Sequence, residues 1–173
     1  MSARGTVSAA AEMPMPRWAH VPGRTDGADH ARLAPVKALI TGSFTAGVPA
    51  EHPALRYGLA LNDAGFFWEC HEILEAVWAA APQGGRDRLL LRACIQITNA
   101  NLKQAMQRGA AAARLRDEAI ALLDELRIRG AVEDGSFAGR FPAARLAETL
   151  RQTRCDPVTE SRQPLRFGDL PSL

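Results

Sequence analysis

The chain has 173 residues, a formal net charge of +2, 47% hydrophobic residues and 23% charged residues. This length fits one domain, and the composition is close to that of globular proteins, which argues against wholesale disorder. No apolar run approaches the roughly 20 residues of a membrane-spanning helix, and the first residues lack the apolar block of a secretory signal. A cytoplasmic protein without a membrane partner is therefore predicted.

Charge and cysteine content limit the chemistry further. The positive residues are almost all arginine and are scattered among acidic residues, which argues against nucleic-acid binding. Cys70, Cys94 and Cys155 lie far apart and form no CxxC pair, so neither a disulfide framework nor a zinc knuckle is indicated. Reduced thiols are expected, and no cofactor is predicted.

Proline, glycine and apolar periodicity divide the chain into three parts. Residues 1–28 are rich in proline and glycine and are predicted to form a flexible arm, residues 29–153 a helical bundle, and residues 154–173 a tail. Apolar residues recur at helical spacing within the bundle. The predicted helices span about 29–41, 53–64, 66–81, 86–108 and 110–129, with a further short helix near 142–153.

No segment shows the alternation of a β-strand, so the fold class is predicted to be all-α. The expected architecture is a single-domain bundle of about five helices whose neighbours are antiparallel.

The third predicted helix carries an unusually polar turn, His71-Glu72-Ile73-Leu74-Glu75. His71 lies at the edge of the apolar arc of this helix, and Glu75 lies one turn later and about 40° further round, so the two side chains can meet. Trp78 and Trp68 flank the turn, which is therefore expected to be at least partly buried.

A polar stripe on the fourth predicted helix supplies candidate partners for these carboxylates. Its members follow i, i+4, i+7, i+11 spacing and are Arg92, Gln96, Asn99 and Lys103. If the stripe faces the third helix, its amides could bridge to Glu72 or Glu75 and its arginine could neutralise a carboxylate. If it faces water, it is a solvated surface. Both alternatives remain open at this point.

Three chemical interpretations of the turn compete. His71-Glu72 matches the start of the zinc motif HExxH, but Glu75 stands where the second histidine should be, so no metal site is predicted. The turn could instead perform acid–base chemistry, although no nucleophile accompanies it, since Cys70 points into the core arc. The third interpretation, a self-satisfied polar network that fixes helix pairing, is favoured.

The stretch from Leu61 to Trp78 resembles the signature of domain-of-unknown-function family 309, a family of small all-helical bacterial and archaeal proteins. The family pattern reads Phe-Asn-x-Gly-x-Phe-Phe-Glu-x-His-Glu-x-Leu-Glu-x-x-Trp. Leu61 replaces the usual phenylalanine, and Lys103 stands where many members have histidine. The resemblance implies a helical bundle and no established activity. The motif positions it carries over are Asn62, Gly65, Phe67, His71, Glu72, Glu75, Trp78 and Gln96.

These observations favour a binding or association module whose HExxE cluster is mainly structural. The alternatives are a metal-dependent or acid–base hydrolase with His71, Glu72 and Glu75 as catalytic candidates, and a structural homo-oligomer. The candidate binding residues are Asn62, Trp68, Trp78, Arg92, Gln96 and Asn99.

Overall fold

The structure, a computed structural model, describes residues 13–154 and 163–170. Within these ranges the chain forms seven α-helices and no strand, which confirms the all-α prediction. The helices are α1 (His30–Lys37), α2 (Pro53–Asp63), α3 (Phe67–Ala80), α4 (Arg86–Ala105), α5 (Gly109–Ile128), α6 (Phe137–Arg140) and α7 (Ala143–Arg154).

The predicted count of about five helices was too low. The additional element, α6, has only four residues, which is too short to generate a recognisable apolar period. It lies between the predicted helices at 110–129 and 142–153, where no helix was predicted. Two side chains that are not part of α6 stabilise its first turn. The Ser136 hydroxyl accepts a hydrogen bond from the Gly139 amide, and the buried Asp87 carboxylate accepts one from the Ala138 amide.

Local sequence explains where α2 and α3 begin and end. Pro53 occupies the first turn of α2, where its missing amide hydrogen costs nothing. Gly65 follows with a φ of 89°, a left-handed conformation that reverses the chain. The Phe66 amide then donates to the Leu61 carbonyl, and α3 begins at the next residue.

The core is built around α4, which packs against α3 on one side and α5 on the other, while α2 covers α3 and α7 covers α5. Gly58 allows the close approach of α2 to α3, since a Cβ atom there would lie 2.9 Å from a methyl carbon of Leu74. The largest fully buried side chains come from five helices and include Leu33, Tyr57, Leu61, Ile73, Leu74, Leu90, Leu91, Ile97, Leu146 and Leu150.

Segments on both sides of the bundle lie against it. In residues 13–28, the Tyr57 hydroxyl donates to the Pro14 carbonyl over 2.9 Å, and Arg17 pairs with the buried Asp29 at 3.1 Å. Residues 163–170 lie against α2 and α4. The division into arm, bundle and tail at residues 28 and 153 stays a prediction, and Cys155 lies outside the described residues. None of the described helices is both long and apolar enough to cross a bilayer.

Candidate functional site

The polar turn of α3 lies at the surface of the bundle, with its two outer side chains in contact. His71 Nε2 and Glu75 Oε1 are 3.5 Å apart, and their side chains are 24% and 54% exposed. This separation is longer than a well-formed N–H···O hydrogen bond. The Nδ1 atom of His71 is buried and has no hydrogen-bond partner among the described residues. The turn is thus partly buried, as its aromatic neighbours suggested, with Glu75 its exposed member.

The other polar groups of this helix connect it to its neighbours. Glu72 forms an ion pair with Lys37 of α1, at 2.8 Å. The Arg88 guanidinium of α4 lies 3.8 Å from the centre of the Trp78 ring and donates to the carbonyls of Trp78 and Ala81. It therefore caps the C-terminal end of α3 while it stacks on the indole.

Of the two alternatives left open for the α4 stripe, a bridge to this turn is not formed by Gln96. Its amide nitrogen lies 2.5 Å from the Glu118 carboxylate of α5, and Glu72 already has its partner on α1. Arg92 is exposed, and Asn99 is half-buried. Among the described residues, no hydrogen bond or ion pair joins Arg92, Gln96 or Asn99 to the α3 turn, and their role as binding residues stays a prediction.

A more deeply buried carboxylate, Glu69, was missed by the sequence reasoning. It is fully buried, and its Oε1 atom accepts a 2.7 Å hydrogen bond from the His20 amide. Its Oε2 atom has no partner among the described residues. Burial raises the pKa of this carboxyl, against the opposing effect of the His20 amide. Beside it, the Trp68 ring meets the rings of His20 and His30 edge to face.

The signal for Glu69 was present in the sequence. It is the glutamate that precedes x-His-Glu in the family pattern, and it lies one helical turn before the buried Ile73. His71 and Glu75 lie at the opposite edge of the apolar arc of α3.

The most extensive buried polar contacts lie between the C-terminal end of α2 and the C-terminal half of α4. The Asn62 side-chain oxygen accepts hydrogen bonds from the Thr98 hydroxyl, at 3.1 Å, and from the Asn101 amide, at 3.0 Å. All three residues are buried. These bonds fix the orientation of the Asn62 carboxamide before it contacts any other segment.

Together with Asp63, these asparagines bind the main chain of residues 165–168. We call Asn62, Asp63 and Asn101 the backbone clamp. Both asparagine amides donate to the Leu165 carbonyl over 2.9 Å, and the Asn101 oxygen accepts from the Leu165 amide over 3.2 Å.

Asp63 completes the clamp one residue along the chain from Asn62. Its two carboxylate oxygens accept from the consecutive amides of Phe167 and Gly168, at 2.6 and 2.7 Å. All five hydrogen bonds from the clamp to this segment therefore reach main-chain atoms.

An open cleft of about 930 Å³ adjoins the bound segment. Leu59 and Asp63 of α2 form one wall, Phe137 and Phe141 a second, and Phe167 of the bound segment a third. The cleft therefore lies beside the clamp and not beside the α3 turn.

The remaining reactive groups are placed for packing. Burial raises the pKa of the Cys70 thiol to about 12, and that of Cys94 is also raised well above its usual range. Asp87, buried at the start of α4, accepts from the amides of Val48 and Ala138 at 2.7 Å each. Among residues 13–154 and 163–170, no three His, Cys, Asp or Glu side chains are grouped so as to hold a metal ion.

The fold and these contacts define an all-helical bundle whose buried polar groups hold the main chain of flanking segments. Residues 55–115 match the family described as domain of unknown function DUF309, so the family predicted from the α3 motif is confirmed over this segment. No curated protein and no solved structure matches the chain. The three clamp residues fall inside the matched segment, and the segment that they bind falls outside it.

Proposed function

We propose that the protein is a binding module that takes a polypeptide segment at the backbone clamp, and that its HExxE turn is structural. The observation that carries this proposal is the set of five hydrogen bonds from Asn62, Asp63 and Asn101 to the main chain of residues 165–168. Hydrogen bonds to main-chain donors and acceptors supply affinity for a bound segment, and contacts with its side chains supply specificity.

The clamp is suited to binding because it is preorganised. Thr98 and Asn101 hold the Asn62 carboxamide, so a segment that enters the clamp does not need to order that side chain. Each buried hydrogen bond contributes about 0.5–1.5 kcal/mol net, and those to the Asp63 carboxylate belong to the stronger, charge-assisted kind. Affinity therefore comes from several modest contacts and from the side chains that accompany them.

Residues 165–168 act as an internal ligand in this interpretation. The clamp belongs to the family segment, whereas its occupant does not, which separates the receptor part of the chain from the part that fills it. The neighbouring cleft gives a longer segment room for further contacts beside Phe167.

The α3 turn is assigned a structural role because its charges join helices. Lys37 and Glu72 tie α1 to α3, and Arg88 ties α4 to the C-terminal end of α3. The hydrolase alternative would need a second ligand or a nucleophile beside His71, and the grouped ligands of a metal site are absent from the described residues. The reduced, buried thiols of Cys70 and Cys94 agree with a cytoplasmic location.

The test uses the full chain with the tail released by Phe167→Ala and Leu170→Ala, and a fluorescent peptide of residues 163–173. Hydrogen exchange at residues 165–168 verifies release. We expect saturable anisotropy binding, weakened at least about tenfold when Asn101→Ala is added. Gln96→Ala, on the face toward α5, is the matched control and should leave binding unchanged. No saturable binding to the released protein would overturn the proposal.

The same observation favours a second candidate, association between copies, since every copy carries the segment that fills the clamp. Light scattering across protein concentrations tests this candidate. A dimer that Asn101→Ala dissociates would support it, and a monomer at all concentrations would exclude it.

A further inference from the structure

We infer that the clamp selects segments with the pattern leucine, any residue, phenylalanine, glycine. This inference rests on the proposed function, because it names the class of segment that the clamp binds. It follows from the side chains of the bound residues, whereas the clamp itself contacts only their main chain.

The bound segment presents alternate side chains to the bundle. Leu165 is half-buried against the core, Arg166 is exposed, and Phe167 is only 6% exposed. Leu165 and Phe167 thus lie on the side of the segment that faces the bundle, and the chain turns after Phe167, whose carbonyl accepts from the Leu170 amide at 3.4 Å. The side chains at the first and third positions of a bound segment therefore contact the bundle, and the side chain at the second position faces solvent.

Aromatic side chains of the bundle contact the side chain at the third position. The Phe167 ring meets the Phe141 ring edge to face, with centroids 6.1 Å apart and an interplanar angle of 74°. Phe137 supports Phe141 in the same way at 5.0 Å. Offset and edge-to-face rings within this range attract one another beyond the effect of burial alone. A phenylalanine at this position completes a row of three rings.

The fourth position has no room for a side chain. A Cβ atom on Gly168 would lie 2.9 Å from Oδ2 of Asp63, closer than such contacts occur. The carboxylate cannot withdraw freely, because it holds the amides of Phe167 and Gly168 and also accepts from the Asn62 amide. Any larger residue must therefore displace the carboxylate and weaken the hydrogen bonds that bind the segment.

These contacts make the tail of this chain a competitor for its own clamp. A partner with the same pattern must displace residues 165–168, so an intact tail lowers the apparent affinity for that partner. The protein with its tail released is expected to bind more tightly than the unmodified protein.

The experiment compares peptides of residues 163–173 on the tail-released full chain described above. Peptides with Phe167→Ala or Gly168→Ala are expected to bind at least about tenfold more weakly than the native peptide. A peptide with Arg166→Ala is the matched control and should change affinity by less than about twofold.

Two further arms separate the possible failures. If the native peptide does not bind, the proposed function fails. If all four peptides bind equally, the sequence class is overturned while the clamp stands. In Asp63→Ala protein, the Gly168→Ala peptide should lose no further affinity relative to the native peptide, because the oxygen that its methyl group meets is gone. A penalty that persists there would contradict the proposed contact.

Discussion

Asn101→Ala is expected to loosen the segment at residues 165–168 and to lower the free energy of unfolding by about 2–4 kcal/mol. The Asn101 residue is 2% exposed and forms three hydrogen bonds of 2.9–3.2 Å, two to the main chain of Leu165 and one to Asn62. It is the clamp residue that donates to the carbonyl and accepts from the amide of the same residue, Leu165.

The expected loss in the free energy of unfolding depends on which hydrogen bonds the partners of Asn101 keep after the substitution. The Leu165 carbonyl keeps the Asn62 amide, and the Asn62 oxygen keeps the Thr98 hydroxyl, but the Leu165 amide loses its acceptor. Three bonds at about 1 kcal/mol each give about 3 kcal/mol, the middle of the stated range, and the Leu165 amide adds no full burial penalty because release of the segment exposes it to water. Release of the tail sets a ceiling, because it frees main-chain entropy that offsets the lost burial of Leu165 and Phe167.

Urea unfolding followed by helical circular dichroism measures the loss, and hydrogen exchange reports whether residues 165–168 remain protected. Thr98→Val is the matched control, since it keeps the shape of the side chain and removes one donor to Asn62; its cost should stay below about 1 kcal/mol. The reasoning is refuted if Asn101→Ala costs no more than Thr98→Val, or if amide protection in the tail is unchanged.

Three further substitutions test the remaining polar groups. Burial raises the pKa of Glu69, so its ionised form destabilises the fold at pH above that raised value. Glu69→Gln should therefore raise the Tm at about pH 7, and the gain should shrink toward about pH 4. A gain in Tm that does not depend on pH would contradict this prediction. Asp87→Asn removes one of two acceptors for buried amides and should cost about 2–3 kcal/mol in urea unfolding, whereas a cost below about 0.5 kcal/mol would show that the carboxylate does not hold those loops. Glu75→Gln should change the free energy of unfolding by less than about 0.5 kcal/mol, because the side chain is half exposed and 3.5 Å from His71. A loss above about 2 kcal/mol would instead support a buried polar network at the α3 turn.

Residues close in sequence were the easier part to predict. His71 and Glu75 meet because i and i+4 lie on one side of any helix, and Gly65 separates α2 from α3 because it adopts a left-handed conformation. These relations depend on backbone geometry over a few residues, and the surrounding fold does not change them.

Residues far apart in sequence decided the candidate site. Asn101 and Thr98 lay outside the predicted polar stripe, and their importance comes from Asn62, which is 39 and 36 residues away. Asp63 gained its role from an amide 104 residues further along the chain. No spacing in the sequence encodes such distances, since each depends on which helix faces cover one another.

Apolar periodicity was enough to predict an all-helical protein and the bounds of most helices, and the α3 motif was enough to predict the family that residues 55–115 match. The sequence also determined the angular position of each polar side chain around its own helix. Only the tertiary structure decided which of those positions is sealed, so that Glu69 and Asn101 are buried while Glu75 is half exposed. The physical reason is that periodicity fixes directions within one helix, whereas burial depends on the neighbour that packs against it.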